Sequence, residues 1–129
     1  MTQEEKELLL KDLCARLPYG VVYHRKDGAN IKLNAIDVER GLLNYTDDIE
    51  ERECKPYLCL MSSMTEEEES RYNLIQGLSH LDQHWTANDG KVYRYADAID
   101  FLNAHHFDYR GLIEKGLALK VPEGMYNLK

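Results

Sequence analysis

The twenty residues from Asp97 to Gly116 constrain this fold more than any other stretch, because they hold two helix patterns and almost no chain to join them. Ala98, Ile99 and Leu102 recur at helical spacing and predict a buried face on the first pattern. Asp108 offers a side-chain cap for a short second helix from Tyr109 to Lys115, which Gly116 would end as a left-handed residue. Between them lie His105, His106, Phe107, Asp108, Tyr109 and Arg110. This is the grammar of a rigid corner.

The remaining elements follow from caps and periodicity. Thr2 with Glu5 forms a capping box, and Leu9, Leu10, Leu13 and Leu17 give an amphipathic helix that Pro18 stops. Two strand-like runs, residues 20–25 and 30–36, flank Asp27-Gly28, which supplies the positive φ of a hairpin turn. Leu42 to Tyr45 reads as a third strand. Residues 47–64 read as a crossing segment that adds an edge strand. Thr65 and Glu68 repeat the capping pattern ahead of a central helix whose face is Leu74, Ile75, Leu78, Leu81 and Trp85, predicted to reach residue 85. Asn88-Asp89-Gly90 then turns the chain. A short strand is expected at residues 91–94 and a last one at 117–121.

The expected fold class is therefore α+β. A small antiparallel sheet of three to four strands is covered by an N-terminal helix, a long central helix and two short C-terminal helices. At 129 residues the chain is about one domain long, and a chain of that size hides roughly two-thirds of its unfolded surface. With no internal repeat, residues 1–129 are read as a single domain.

Charge narrows the function classes. The formal net charge is -7, and residues 1–70 carry sixteen acids against nine Lys and Arg, whereas residues 71–129 carry seven of each. The runs from Asp47 to Glu51 and from Glu66 to Glu69 would repel phosphates, which argues against direct nucleic-acid binding. The polar start of the chain and the lack of any long apolar run predict a cytoplasmic protein with no membrane segment. Cys14, Cys54 and Cys59 are an odd number and are expected as thiols.

Two readings compete for the corner. In the first, His105, His106, Asp108, Tyr109 and Arg110, with Tyr93 and Tyr95 nearby, form a partner-binding surface on a non-enzymatic domain. No cofactor is implied. In the second, His105 or His106 and Asp108 hold a metal ion in a hydrolase or nuclease, with further ligands from His24, His80 or His84. His80 and His84 stand one helical turn apart, which suits two imidazoles on one ion. Against both stands a plain structural role: one histidine packs at the helix end, Asp108 caps, and Arg110 pairs with a carboxylate. A weaker reading makes the acidic chain a decoy for a DNA-binding protein. Two short helices in the corner also invite comparison with a helix-turn-helix, but the second offers only Arg110 and Lys115 to a duplex.

Residues 11–21, Lys55-Pro56-Tyr57-Leu58 with residues 61–65, and residues 101–113 together resemble a group of short uncharacterised proteins from anaerobic gut bacteria and their prophages or mobile elements. Where this chain has Cys59-Leu60 and Phe101, that group often carries Arg-Pro and Trp. The resemblance brings no activity and no site residues. It implies a phage or mobile-element setting, in which a host or phage protein is the expected partner.

Overall fold

Helix α1 (Gln3–Arg16) begins as its sequence dictates: Thr2 Oγ1 accepts the Glu5 N–H and the Glu5 carboxylate accepts the Thr2 N–H. Pro18 then turns the chain through a single 3-10 turn, Leu17–Tyr19. The structure is a computed structural model that describes residues 1–81, 84–86 and 92–126, with the backbone alone described for 76–81, 84–86 and 92–96.

Strands β1 (Val22–His24) and β2 (Asn30–Lys32) form the expected hairpin, with Gly28 at φ +95° in its turn. Beyond it the sheet departs from expectation. Strands β3 (Ile36–Asp37), β4 (Leu42–Leu43) and β5 (Asp47–Asp48) pair only with one another, as a separate three-stranded antiparallel sheet. Strand β6 (Lys55–Leu58) falls in the segment read as an edge, yet it is interior to the first sheet, antiparallel to β1. On its other side it runs parallel to the last strand, Leu119–Lys120. The four-stranded sheet is therefore mixed. Pairing is decided by long-range packing, because Tyr57 and Leu58 are buried from both directions and a two-sided strand shows no alternation to read.

Helix α2 (Glu66–Leu81) starts with the Thr65 and Glu68 reciprocal cap. It stops short of residue 85, and β7 (His84–Thr86) pairs antiparallel with β8 (Val92–Arg94). Aromatic and β-branched residues in both segments favour that outcome over a longer helix. The turn expected at residues 88–90 lies outside the described residues. Of the expected stripe, Ile75 is buried while Leu74 is 48% exposed; the side chains of Leu78, Leu81 and Trp85 lie outside the described residues. In α3 (Tyr95–Ala104), Ala98, Phe101 and Leu102 are buried and Ile99 is at the surface. Leu119–Lys120 is β9.

The second C-terminal helix does not form. Gly111 takes φ +72°, which breaks any run from Tyr109, and what remains is one turn ending at Gly116 with φ +75°. That turn closes as a Schellman motif, with Leu117 N–H on Leu112 O at 2.9 Å and Gly116 N–H on Ile113 O at 3.0 Å. The helix-turn-helix comparison loses its recognition helix.

Two apolar clusters result. Leu9, Leu10 and Leu13 of α1 pack on Val21, Tyr23, Leu43, Ile49, Leu58 and Leu112. Ile75, Ala98, Phe101, Leu102 and Phe107 form the second. The corner joins them, since Phe107 belongs to one and Leu112 to the other. An added Cβ at Gly116 would meet no atom within 4 Å, so Gly116→Ala should cost only the left-handed strain, about 1–2 kcal/mol. Urea denaturation of the two proteins checks this.

Candidate functional site

Helix α3 ends in a second Schellman motif, with Phe107 N–H on Leu102 O at 2.9 Å and His106 N–H on Asn103 O at 3.1 Å. His106 therefore occupies the left-handed position, φ +59°, where glycine or asparagine is the usual choice. The strained backbone turns the imidazole inward. It is 1% exposed and stacks on Tyr126, with ring centroids 4.0 Å apart. Tyr126 is fixed in turn at the sheet: its hydroxyl donates to Tyr57 O at 2.8 Å and accepts the Val22 N–H at 2.8 Å. Burial, reinforced by Arg16 and His105, lowers the His106 pKa to about 4. Among the described residues its Nδ1 has no hydrogen-bond partner.

The next residues are tied to the end of β6. Cys59 N–H reaches His106 O, and Asp108 N–H reaches Cys59 O, both at 2.8 Å. Asp108 does not cap a helix from Tyr109; its two carboxylate oxygens reach four and five residues on, accepting the Leu112 and Ile113 N–H groups at 2.8 and 2.9 Å at the start of the Gly116 turn. His105 lies against Phe101, with ring centroids 4.4 Å apart. Its Nδ1 is 3.6 Å from Glu68 Oε2, a distance at which the protonated ring forms an ion pair.

Beneath the corner sits a charge cluster. Asp12 and Arg16, both 0% exposed, pair through Arg16 Nε at 2.8 Å and Nη2 at 3.2 Å. Arg16 Nη2 also donates to Phe107 O at 2.6 Å. Arg110 Nη1 donates to the same Asp12 carboxylate at 2.8 Å and to Tyr109 Oη at 2.7 Å, and Tyr109 Oη donates to Asn103 Oδ1. The Arg110 guanidinium lies over the Tyr109 ring, 4.6 Å from its centroid. One carboxylate thus holds two guanidiniums.

The predicted site residues accordingly separate. His106 and Asp108 are buried, so neither can supply contact surface to a partner. His105, Tyr109 and Arg110 are half-buried and committed to internal contacts. The side chains of Tyr93, Tyr95, His80 and His84 lie outside the described residues. His24 stands elsewhere, bonded to Asn30 and Tyr57 on the sheet. Among the described residues, no three His, Cys, Asp or Glu side chains are grouped to hold a metal. The cysteines are free thiols, and no described helix is long and apolar enough to cross a membrane.

Sequence reasoning missed Asp12, Arg16 and Tyr126. For the first two a signal existed: at 100° per residue, Arg16 falls within about 20° of Leu9 and Asp12 within about 60°, inside the leucine stripe. For Tyr126 there was none. Neither protein-family models, curated proteins nor solved structures yield a match to this chain.

Replacing Asp12 by Ala strands two cations, one fully buried, and should cost about 3–5 kcal/mol in urea denaturation. The double change Asp12→Leu with Arg16→Met should cost less. His106 gives a pH dependence. The unfolded chain binds its proton near pH 6.5 and the folded chain only near 4. Between those values the unfolded state holds more protons, so stability rises with pH across the window and is lost as pH falls. The slope from one proton is at most about 1.4 kcal/mol per pH unit. In His106→Gln that slope should flatten while the rest of the profile is kept.

Proposed function

We propose that this chain is a cytosolic, non-catalytic protein-interaction domain, and that its contact with a host or phage protein centres on Tyr45. The phage or mobile-element setting rests on the sequence resemblance alone. The contact is argued from one observation, the backbone of Tyr45. Asn44 and Tyr45 adopt φ +53° and +64° in the tight turn that joins β4 to β5, closed by Thr46 N–H on Leu43 O. Asn44 uses its side chain fully there: it accepts the Asn34 and Ala35 N–H groups and donates to Lys32 O. Tyr45 is 69% exposed. An Asn-Gly pair would make the same turn without strain.

A bulky residue in the left-handed region costs on the order of 1–2 kcal/mol, and such strain is concentrated at functional positions. Tyrosine is also, with tryptophan and arginine, among the side chains enriched at the anchors of protein contacts. The net charge of -7 favours a partner with a basic rim. Contacts from the half-buried corner residues His105, Tyr109 and Arg110 would be secondary to this anchor.

Tyr45→Gly separates folding from binding, because the two should move in opposite directions. Thermal unfolding should show the variant more stable by up to about 1 kcal/mol, the strain relieved less the unfolded-state entropy that glycine adds, and affinity capture from host extract should lose a protein that the native chain retains. A less stable variant would mean that Tyr45 serves the fold. Retention of every captured protein by the stabilised variant would place the contact elsewhere.

A further inference from the structure

Apart from Tyr45 and the corner, the four-stranded sheet carries a polar row on its outer face. Tyr23 and Ile31, opposite one another on β1 and β2, turn inward to the core, so alternation sends His24 and Asn30 to the other face. The register sets Asn30 and Lys55 directly opposite His24 from its two sides, where facing Cβ atoms lie about 5 Å apart. Tyr57, two residues beyond Lys55, shares that face and meets the imidazole edge to face, with ring centroids 5.9 Å apart.

Hydrogen bonding in this group fixes the tautomer of His24. The Tyr57 hydroxyl donates its one hydrogen to Asn30 Oδ1 at 2.9 Å. Its oxygen then has only lone pairs to offer His24 Nδ1, 3.1 Å away, and Asn30 Oδ1, 2.9 Å from the same nitrogen, is likewise an acceptor. Between two acceptors Nδ1 must carry the hydrogen, which leaves the lone pair of the neutral ring on Nε2. Nε2 bonds none of the described residues, and the half-buried ring leaves it open to solvent. Lys55 beside it is half-buried and has no ion pair among the described residues.

An imidazole held in one tautomer by its far nitrogen presents the other as a nucleophile. A neighbouring ammonium group favours an anionic electrophile. We infer that His24 is a phosphoryl acceptor at Nε2, taking the group from a phosphoramidate, the class to which phosphohistidine belongs, with Lys55 paired to the phosphoryl oxygens. In the step the Nε2 lone pair forms a phosphorus–nitrogen bond while that of the donor breaks, its electron pair leaving on the donor nitrogen. Nothing is oxidised, and the Nδ1 proton stays on Asn30 and Tyr57. The site is separate from the Tyr45 turn.

Imidazole spectra of the nitrogen-labelled protein should show His24 as the Nδ1–H tautomer. Incubation with potassium phosphoramidate, followed by phosphorus spectra and peptide mass spectrometry, should place acid-labile phosphate on His24 Nε2, faster than on the same residue of the urea-unfolded chain. The Asn30→Ala, Tyr57→Phe double variant should lose the tautomer and slow that reaction about tenfold, the worth of one hydrogen bond. Lys55→Gln should slow it with the tautomer kept. An Nε2–H tautomer in the native chain overturns the proposal. So does phosphorylation of His24 at the rate of the unfolded chain, or at a rate that the double variant matches.

Discussion

The carboxylate of Asp12 is the point on which the two halves of the packing meet. Helix α1 buries its leucines in one apolar cluster, while α3 and Phe107 belong to another. Asp12 orients Arg16, which grips Phe107 O, and it receives Arg110 from beyond the corner. Each contact is a charge-assisted hydrogen bond, those of Arg16 made where water is excluded and that of Arg110 at a half-buried position, so each is directional. Apolar surfaces alone would permit α1 to slide or rotate against the corner at little cost. A buried guanidinium with one carboxylate and one carbonyl to meet does not permit it.

This arrangement explains which parts of the fold were legible in the sequence. Thr2 with Glu5, Thr65 with Glu68, Asp27-Gly28 and Gly116 act within a few residues of themselves, and their local geometry decides the outcome. The division of the strands into separate sheets depends instead on pairings such as Tyr57 with Leu119, more than sixty positions apart, which no local pattern encodes. Gly111 defeated the short helix from Tyr109 because its left-handed conformation is imposed by the Asp108 carboxylate reaching Leu112 and Ile113. A glycine in that place is compatible with helix and with turn, and the cap geometry chose the turn.

The candidate site was legible as a cluster and misleading as a surface. Adjacent histidines, an aspartate, a tyrosine and an arginine suggest an outward-facing chemistry, yet the helix terminus sends their side chains in different directions. His106 turns beneath Tyr126, Asp108 is consumed by backbone N–H groups, and Arg110 folds back to Asp12. The plain structural reading of the sequence named two of these fates, the histidine packed at the helix end and the arginine paired with a carboxylate, while the helix that Asp108 was to cap does not form. It could not name the partner carboxylate, ninety-eight positions away.

Backbone strain then distinguishes structure from function within this chain. His106, Tyr45 and Glu53 all occupy the left-handed region without being glycine or asparagine. At His106 the strain is offset inside the molecule, by a stacked ring, by burial and by the helix-ending hydrogen bonds. Glu53 is offset in the same way, as the left-handed residue closing a turn, with its N–H on Glu50 O at 3.2 Å and the Cys54 N–H on Ile49 O at 3.1 Å, whereas Tyr45 is largely solvent-exposed. Strain that the fold itself offsets needs no further explanation. Strain without an internal return points to an interaction outside the chain, which is why the turn at Tyr45, and not the polar corner, is where this protein is expected to meet other molecules.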